Sequence, residues 1–219
     1  MELLLIRHAQ SQNNALPESQ RVEDPGITSL GLQQARQLAE AAAAWDVELL
    51  LTSAFRRALE TAEQLHQRTS LRPRIWPELH ENGGCYTGHL PGQMAGRPGM
   101  NARQIGERFP AFDIEGEIAE GGWWQSRPRE SAEESWRRAQ QQARRLLETH
   151  RGRSRVACVV HADFKSLLLD ALLGDRWNEL AAEPLYNTGV TWLRCDGAGE
   201  VSVQQFNDVE HLSGASVSD

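Results

Sequence analysis

Two histidines stand at the ends of apolar runs. Leu3-Leu4-Leu5-Ile6 leads into Arg7-His8, and Val156-Ala157-Cys158-Val159-Val160 leads into His161. A third apolar run, residues 47–52, ends at Ser53, and Arg57 follows four residues later. Histidines and arginines grouped in this way can carry out phosphoryl transfer. A neutral imidazole can attack phosphorus and form a covalent intermediate, dividing one hard step into two. The charge on the equatorial oxygens needs fixed cationic donors, and arginine keeps its charge throughout. A carboxylic acid must then protonate the leaving oxygen and later take a proton from water.

These side chains converge only if the apolar runs are neighbouring strands. Strand-like and helix-like segments alternate along the chain. That predicts an α/β fold, a three-layer α/β/α sandwich on a mostly parallel sheet. Such sheets bind ligands beyond the carboxyl ends of their strands, where Arg7-His8, Ser53 with Arg57, and His161 all fall. Thr28 is expected to cap a helix with Leu32, Ala35, Leu38, Ala39 and Ala42 on its apolar face. Ser53 is expected to cap the next, with Phe55, Ala58, Leu59, Ala62 and Leu65 inward. A short strand is expected at 74–76. Ser131-Ala132-Glu133-Glu134 has capping-box spacing and opens a helix expected to bury Trp136, Ala139, Ala143, Leu146 and Leu147. The helix after His161 should turn Phe164, Leu167, Leu168, Ala171 and Leu172 inward and stop at Gly174. A late hairpin should join 190–193 to 201–205 through Asp196-Gly197.

The 219 residues suit a single domain with one sizeable core. The stretch at about 82–129 is rich in Gly and Pro and reads as an irregular insertion, with one short helix near 101–108. Long loops of this kind serve as lids or binding segments. Its Trp123 and Trp124 either stack on a ring of the substrate or cover the core. The net charge of −7 disfavours nucleic acid and anionic membranes, so an anion site must bring its own local positive charge. The basic residues are nearly all arginine, with Lys165 the only lysine. Cys85, Cys158 and Cys195 form no C-x-x-C pair, which suits a reducing, cytoplasmic setting rather than a zinc or dithiol site. The apolar start is too short for a signal peptide, and no run approaches the roughly 18 apolar residues of a membrane span.

Arg7-His8-Ala9-Gln10-Ser11-Gln12-Asn13-Asn14 resembles the R-H-G-x-S/T-x-x-N opening of the histidine phosphatase superfamily, the phosphoglycerate mutase-like family. Asp24 to Ala35 is similar to its D-x-P-L-T-x-x-G-x-x-Q-A segment. Ser53 to Ala62 reads as S-x-x-x-R-A-x-x-T-A and puts Arg57, not Arg56, at the second phosphate arginine. Leu79-His80-Glu81 fits the acid/base glutamate, Glu130-Ser131 with Arg138 fits the later helix start, and Val159-Val160-His161 fits the second histidine block. Asn207-Asp208 with His211-Leu212 resembles the tail. The resemblance implies that His8 is the nucleophile and that Arg7, Arg57 and His161 hold the phosphoryl oxygens. It implies that Glu81 acts as acid and then base, and that Asn14, Ser11 and Ala162 contact the substrate. It implies no metal and no organic cofactor, and a small phosphorylated partner.

Ala9 and Ala162 replace the usual glycines after the two histidines, which is tolerable where φ is negative. The glycine spacing after Glu81 also departs from the family pattern, and His80 and Glu78 are nearby substitutes for the acid. The basic segment that mutases carry after the glutamate is missing. The resemblance therefore favours a phosphatase over a phosphoglycerate mutase-type phosphotransferase or a silent phosphoryl-binding module. A binuclear metal site on His8, His161, Glu81 and Asp163 is disfavoured, because the arginines would repel the cations. The oligomeric state is open, with a dimer paired through the tryptophan-rich loop as one option.

Overall fold

The computed structural model describes residues 1–88, 92–150, 154–181, 184–197 and 199–219. Residues 89–91 of the expected insertion lie outside the described residues. The chain folds in the order β1 (Glu2–Arg7), α1 (Gln12–Ala15), α2 (Ser29–Ala42), β2 (Leu49–Thr52), α3 (Arg56–Thr69), β3 (Arg74–Ile75), β4 (Tyr86–Thr87), β5 (Ala95–Gly96) and α4 (Ala102–Arg108). It continues with β6 (Asp113–Ile114), α5 (Ala132–Thr149), β7 (Arg155–Val160), α6 (Ala162–Leu173), β8 (Val190–Cys195) and β9 (Val201–Asp208).

Seven strands form one sheet in the order β6-β3-β2-β7-β1-β8-β9. The first five are parallel, and β8 and β9 run antiparallel to their neighbours. The inner strands are continuously apolar because both faces are covered. Leu4 and Ile6 of β1 pack with α2 and α3, whereas Leu3 and Leu5 pack with α5 and α6. That alternation makes the three-layer α/β/α sandwich. No helix among the described residues is long and apolar enough to cross a membrane.

Thr28 caps α2 as expected, its hydroxyl accepting the Gly31 amide at 3.0 Å. Gly31 also lets the helix press against the loop after His8, because a Cβ there would lie 2.1 Å from the Gln10 carbonyl oxygen. Ser53 does not cap α3. The N-cap is Phe55, the Asp24 carboxylate accepts the Arg56 amide at 2.8 Å, and Ser53 is engaged elsewhere. Helix α5 has its capping box at Ser131 and Glu134, but Trp136 is 42% exposed, with its indole NH on Asp170. The buried face is Ser135, Arg138, Ala139, Gln142, Ala143 and Leu146. In α6 the inward face is Phe164, Lys165, Leu168, Leu169 and Leu173, and Leu167, Ala171 and Leu172 are half-buried. The Gly/Pro-rich stretch is more ordered than its composition predicts. Besides α4 it contains the β4–β5 pair, and β6 extends the central sheet.

Candidate active site

Strand order brings the site residues together. Strand β7 lies between β1 and β2, with Val160 in register with Arg7 and Val159 with Thr52. Each strand therefore ends beside its neighbour, and Arg7-His8, Ser53 and His161 leave the sheet at one edge. A cavity of about 330 Å³ opens there, lined among others by Arg7, His8, Ser11, Asn14, Arg57, Glu81 and Ala162. Arg21, Arg129 and Tyr86 stand at the same wall; they were not expected from the sequence, where nothing distinguishes them from surface residues.

His8 is almost wholly buried, and its Nδ1 lies 2.7 Å from the Ala9 carbonyl oxygen. A carbonyl can only accept, so Nδ1 carries the proton and Nε2 bears the lone pair. The Arg57 Nε donates to that Nε2 at 3.0 Å. Burial and the two guanidiniums hold the His8 pKa well below the usual histidine range, so the ring is neutral and nucleophilic. Thr61, one turn beyond Arg57, accepts the Ala9 amide at 3.0 Å and donates to the Arg57 carbonyl at 2.7 Å. Neither Ala9 nor Ala162 has a positive φ, so the methyl groups that replace glycine meet no backbone strain.

His161 is fully buried and does not line the cavity wall. Its ring lies edge-on to His8 and to Phe55, each at 5.1 Å between centroids, and its Nε2 meets the Ser53 hydroxyl at 2.8 Å. Its Nδ1 has no partner among the described residues, and neither has the buried Nε of Arg7. Of the two, the Arg7 Nε belongs to a residue of the cavity wall, so it is the one that a ligand there could satisfy. Asn14 accepts the Ser11 amide and hydroxyl on Oδ1, at 3.0 and 2.8 Å, which leaves its NH₂ end for a ligand.

Glu81 is half-buried, and its Oε1 accepts the amides of Asn82 and Phe164, both at 2.9 Å. Burial first, and then the nearby Asp163 carboxylate, raise its pKa, which favours an acid that can hold a proton. Arg138 fixes the turn that carries it. One guanidinium nitrogen donates to the carbonyls of Glu78 and His80, at 2.8 and 3.0 Å, and the others pair with Glu130 at 2.9 and 2.8 Å. Of the two substitutes for Glu81, Glu78 is exposed and outside the cavity. Burial and Arg138 bring His80 down to about 3, and it packs against Trp123 and Trp124.

The segment before β8 supports Arg7 and His8 from below, and its residues carried no functional signal in the sequence. Asn187 Nδ2 donates to the His8 carbonyl at 3.1 Å, and the Thr188 amide donates to the Arg7 carbonyl at 3.1 Å. The Arg7 guanidinium donates to the Leu185 carbonyl. Thr188 sits at φ 57°, a costly conformation for a β-branched residue, kept because these bonds over-determine it. Among the described residues no group of three or more His, Cys, Asp or Glu side chains is arranged to hold a metal ion.

The sequence profile of the histidine phosphatase superfamily (branch 1) matches residues 3–209. Among solved structures, a mycobacterial glucosyl-3-phosphoglycerate phosphatase solved with VO3 is 22% identical, with a TM-score of 0.66 over 95% of this chain and 99% of that one. The H9A mutant of a phosphoserine phosphatase from Entamoeba histolytica, solved with phosphoserine, is 22% identical, with a TM-score of 0.66 over 97% and 99%. YhfR of Bacillus stearothermophilus is 25% identical, with a TM-score of 0.67 over 96% and 98%. No functionally curated protein matches the chain. With the motif residues gathered at one sheet edge and the profile spanning almost all of its length, the chain belongs to branch 1 of the histidine phosphatase superfamily.

Proposed function

We propose that the protein hydrolyses a small phosphomonoester through a covalent phosphohistidine on His8, without a metal. The observation that carries this reading is the hydrogen bonding of His8. Its Nδ1 proton is held by the Ala9 carbonyl, and its Nε2 lone pair faces Arg57 in the cavity that also holds Arg7 and Glu81. Superfamily membership and the phosphatase activities of the structural relatives point the same way.

As substrate binds, Arg57 exchanges its bond to Nε2 for bonds to the phosphoryl oxygens, joined by Arg7 and by the NH₂ group of Asn14. Nε2 then attacks phosphorus while the ester P–O bond breaks, and Glu81 gives its proton to the leaving oxygen. The resulting carboxylate takes a proton from water. The hydroxide so formed attacks phosphorus, the N–P bond breaks, and His8 returns with inorganic phosphate as product. His161, behind His8, stabilises the ring that carries the phosphoryl group. The stretch at about 82–129 sets specificity through Asn82, Tyr86 and Arg129 at the cavity wall.

The test is phosphate release from a panel of phosphomonoesters, in chelator, for the wild type and for His8→Ala. The expected result is release by the wild type, undiminished by chelator, and a loss of more than about a thousandfold in the variant. A His8→Ala enzyme within tenfold of wild type would remove His8 as the nucleophile. Loss of wild-type activity in chelator would sink the metal-free mechanism.

A further inference from the structure

Lys165 is the only lysine among 23 basic residues, and it is fully buried. It lies on α6, one turn beyond His161. Its Nζ donates to the Gly189 carbonyl at 2.8 Å, and the same carbonyl accepts the Arg7 amide at 3.3 Å. A Cβ at position 189 would lie 2.3 Å from Asn207 Oδ1 and 2.9 Å from the Tyr186 carbonyl oxygen, so a larger residue would have to displace Asn207. One carbonyl thus joins α6, the segment before β8, and the end of the strand that presents Arg7 and His8.

The surroundings of Lys165 are unusual for a cation. The charged group that bears on it is Arg7 of β1, which is also a cation. Its own helix contributes the His161 peptide, and the segment before β8 contributes the neutral Gly189 carbonyl that its Nζ bonds. Burial and Arg7 together bring its pKa down to about 7. The carboxylates of Glu81, Asp219 and Asp163 bear on Arg7, whereas the charge that bears on Lys165 is that of Arg7. Burying an ammonium beside another cation is costly, and a methionine would fill the space without that cost. A phosphoryl dianion arriving at Arg7 offsets the repulsion.

Resting on the reading of the cavity as a phosphoryl site, we propose that Lys165 is a positioning residue of that site. Through the Gly189 carbonyl and beside Arg7 it supplies a second positive charge behind the pocket, and it takes up its proton as the oxyanion binds. The ligand chemistry concerned is the tetrahedral dianion itself, whatever alcohol it esterifies.

The experiment is calorimetric titration with tungstate, a dianion at neutral and alkaline pH, in two buffers of different ionisation enthalpy. At about pH 8, wild type should take up a large fraction of one proton per tungstate bound. Its affinity should fall as pH rises from about 7 to about 9. Lys165→Met should bind about tenfold more weakly near neutrality, with less proton uptake and a flatter pH dependence. Lys165→Gln should behave in the same direction and serves if the methionine variant does not fold. No proton uptake by wild type overturns the proposal, as do equal affinity and equal uptake in wild type and variant. Arg57→Ala separates this proposal from the reading beneath it. If wild type binds tungstate and Arg57→Ala does not, the phosphoryl site stands, and a null result for Lys165 falls on Lys165 alone. If wild type binds no tungstate, both readings fall.

Discussion

Glu81 and Lys165 show how the same desolvation serves opposite signs. In Glu81 burial favours the protonated form, which a departing alkoxide needs. Glu81→Gln should therefore slow hydrolysis of an alkyl phosphate by roughly a hundredfold or more. An ester with an acidic phenol as leaving group should lose much less, and equal losses for the two would move the acid elsewhere. In Lys165 burial disfavours the charged form, and its pKa falls from 10.5 to about 7. Stability from this group is full above the unfolded value and is lost as pH falls toward 7. Lys165→Met should thus raise the melting temperature at pH 7, with the gain shrinking as pH rises toward 10.5. Thermal unfolding over that range checks it, and a melting temperature lowered at pH 7 would contradict it. Arg7, His8, Arg57 and Glu81, which the structure gathers at one cavity, could be picked out in the sequence because they stand in motifs of recognisable spacing. Lys165, Asn187 and Thr188 could not, because their bonds run to backbone carbonyls, and a carbonyl leaves no mark on residue type.

At the scale of elements, the turn carrying Glu81 is held less by its own sequence than by α5. Arg138 and Glu130 are both nearly buried and are bonded to each other and to the turn. Arg138→Leu leaves Glu130 buried without its cation. It should cost about 3–5 kcal/mol of stability and lower kcat with it. Denaturant unfolding together with steady-state kinetics reads both, and a variant of wild-type stability and kcat would show that the clamp is dispensable. The same clamp explains why the face of α5 was misread. An apolar pattern counts Trp136 as inward, but the helix is rotated to turn Arg138 and Gln142 in, and Trp136 is left at the surface. In α3 the expected cap at Ser53 failed for a related reason. The hydroxyl is taken by His161, and Asp24, distant in sequence, serves the first turn. The strands were easier to read, since residues covered on both faces form unbroken apolar runs.

Over the whole molecule, a chain of net charge −7 gathers Arg7, Arg57, Arg21 and Arg129 around one cavity, where they outnumber Glu23, Glu81 and Asp163. The field that an anionic substrate meets is therefore local. The stretch at about 82–129 is tied to the interior as well as to the cavity. Trp123 packs edge-on against Phe55 at 4.7 Å, and Phe55 in turn lies under the Arg57 guanidinium at 4.1 Å. Of the two expectations for the tryptophans, covering the core is the one the structure shows. Trp123→Ala should cost about 3–5 kcal/mol. If a stabilising background keeps it folded, phosphate affinity should drop as well, because Phe55 loses its backing. Full stability in the variant would show that the ring is not part of the core. Composition alone could not show this, since glycine and proline mark a winding path without saying what it covers.

The Thr61 hydroxyl has a mechanical consequence. It accepts from the backbone of the nucleophile loop and donates to the backbone of Arg57, so both partners of the central hydrogen bond hang from one oxygen. A displacement of α3 is thereby felt at the Ala9 amide, next to His8, as well as at Arg57. The His8 imidazole and the Arg57 guanidinium are thus referred to one common oxygen in addition to their own 3.0 Å bond.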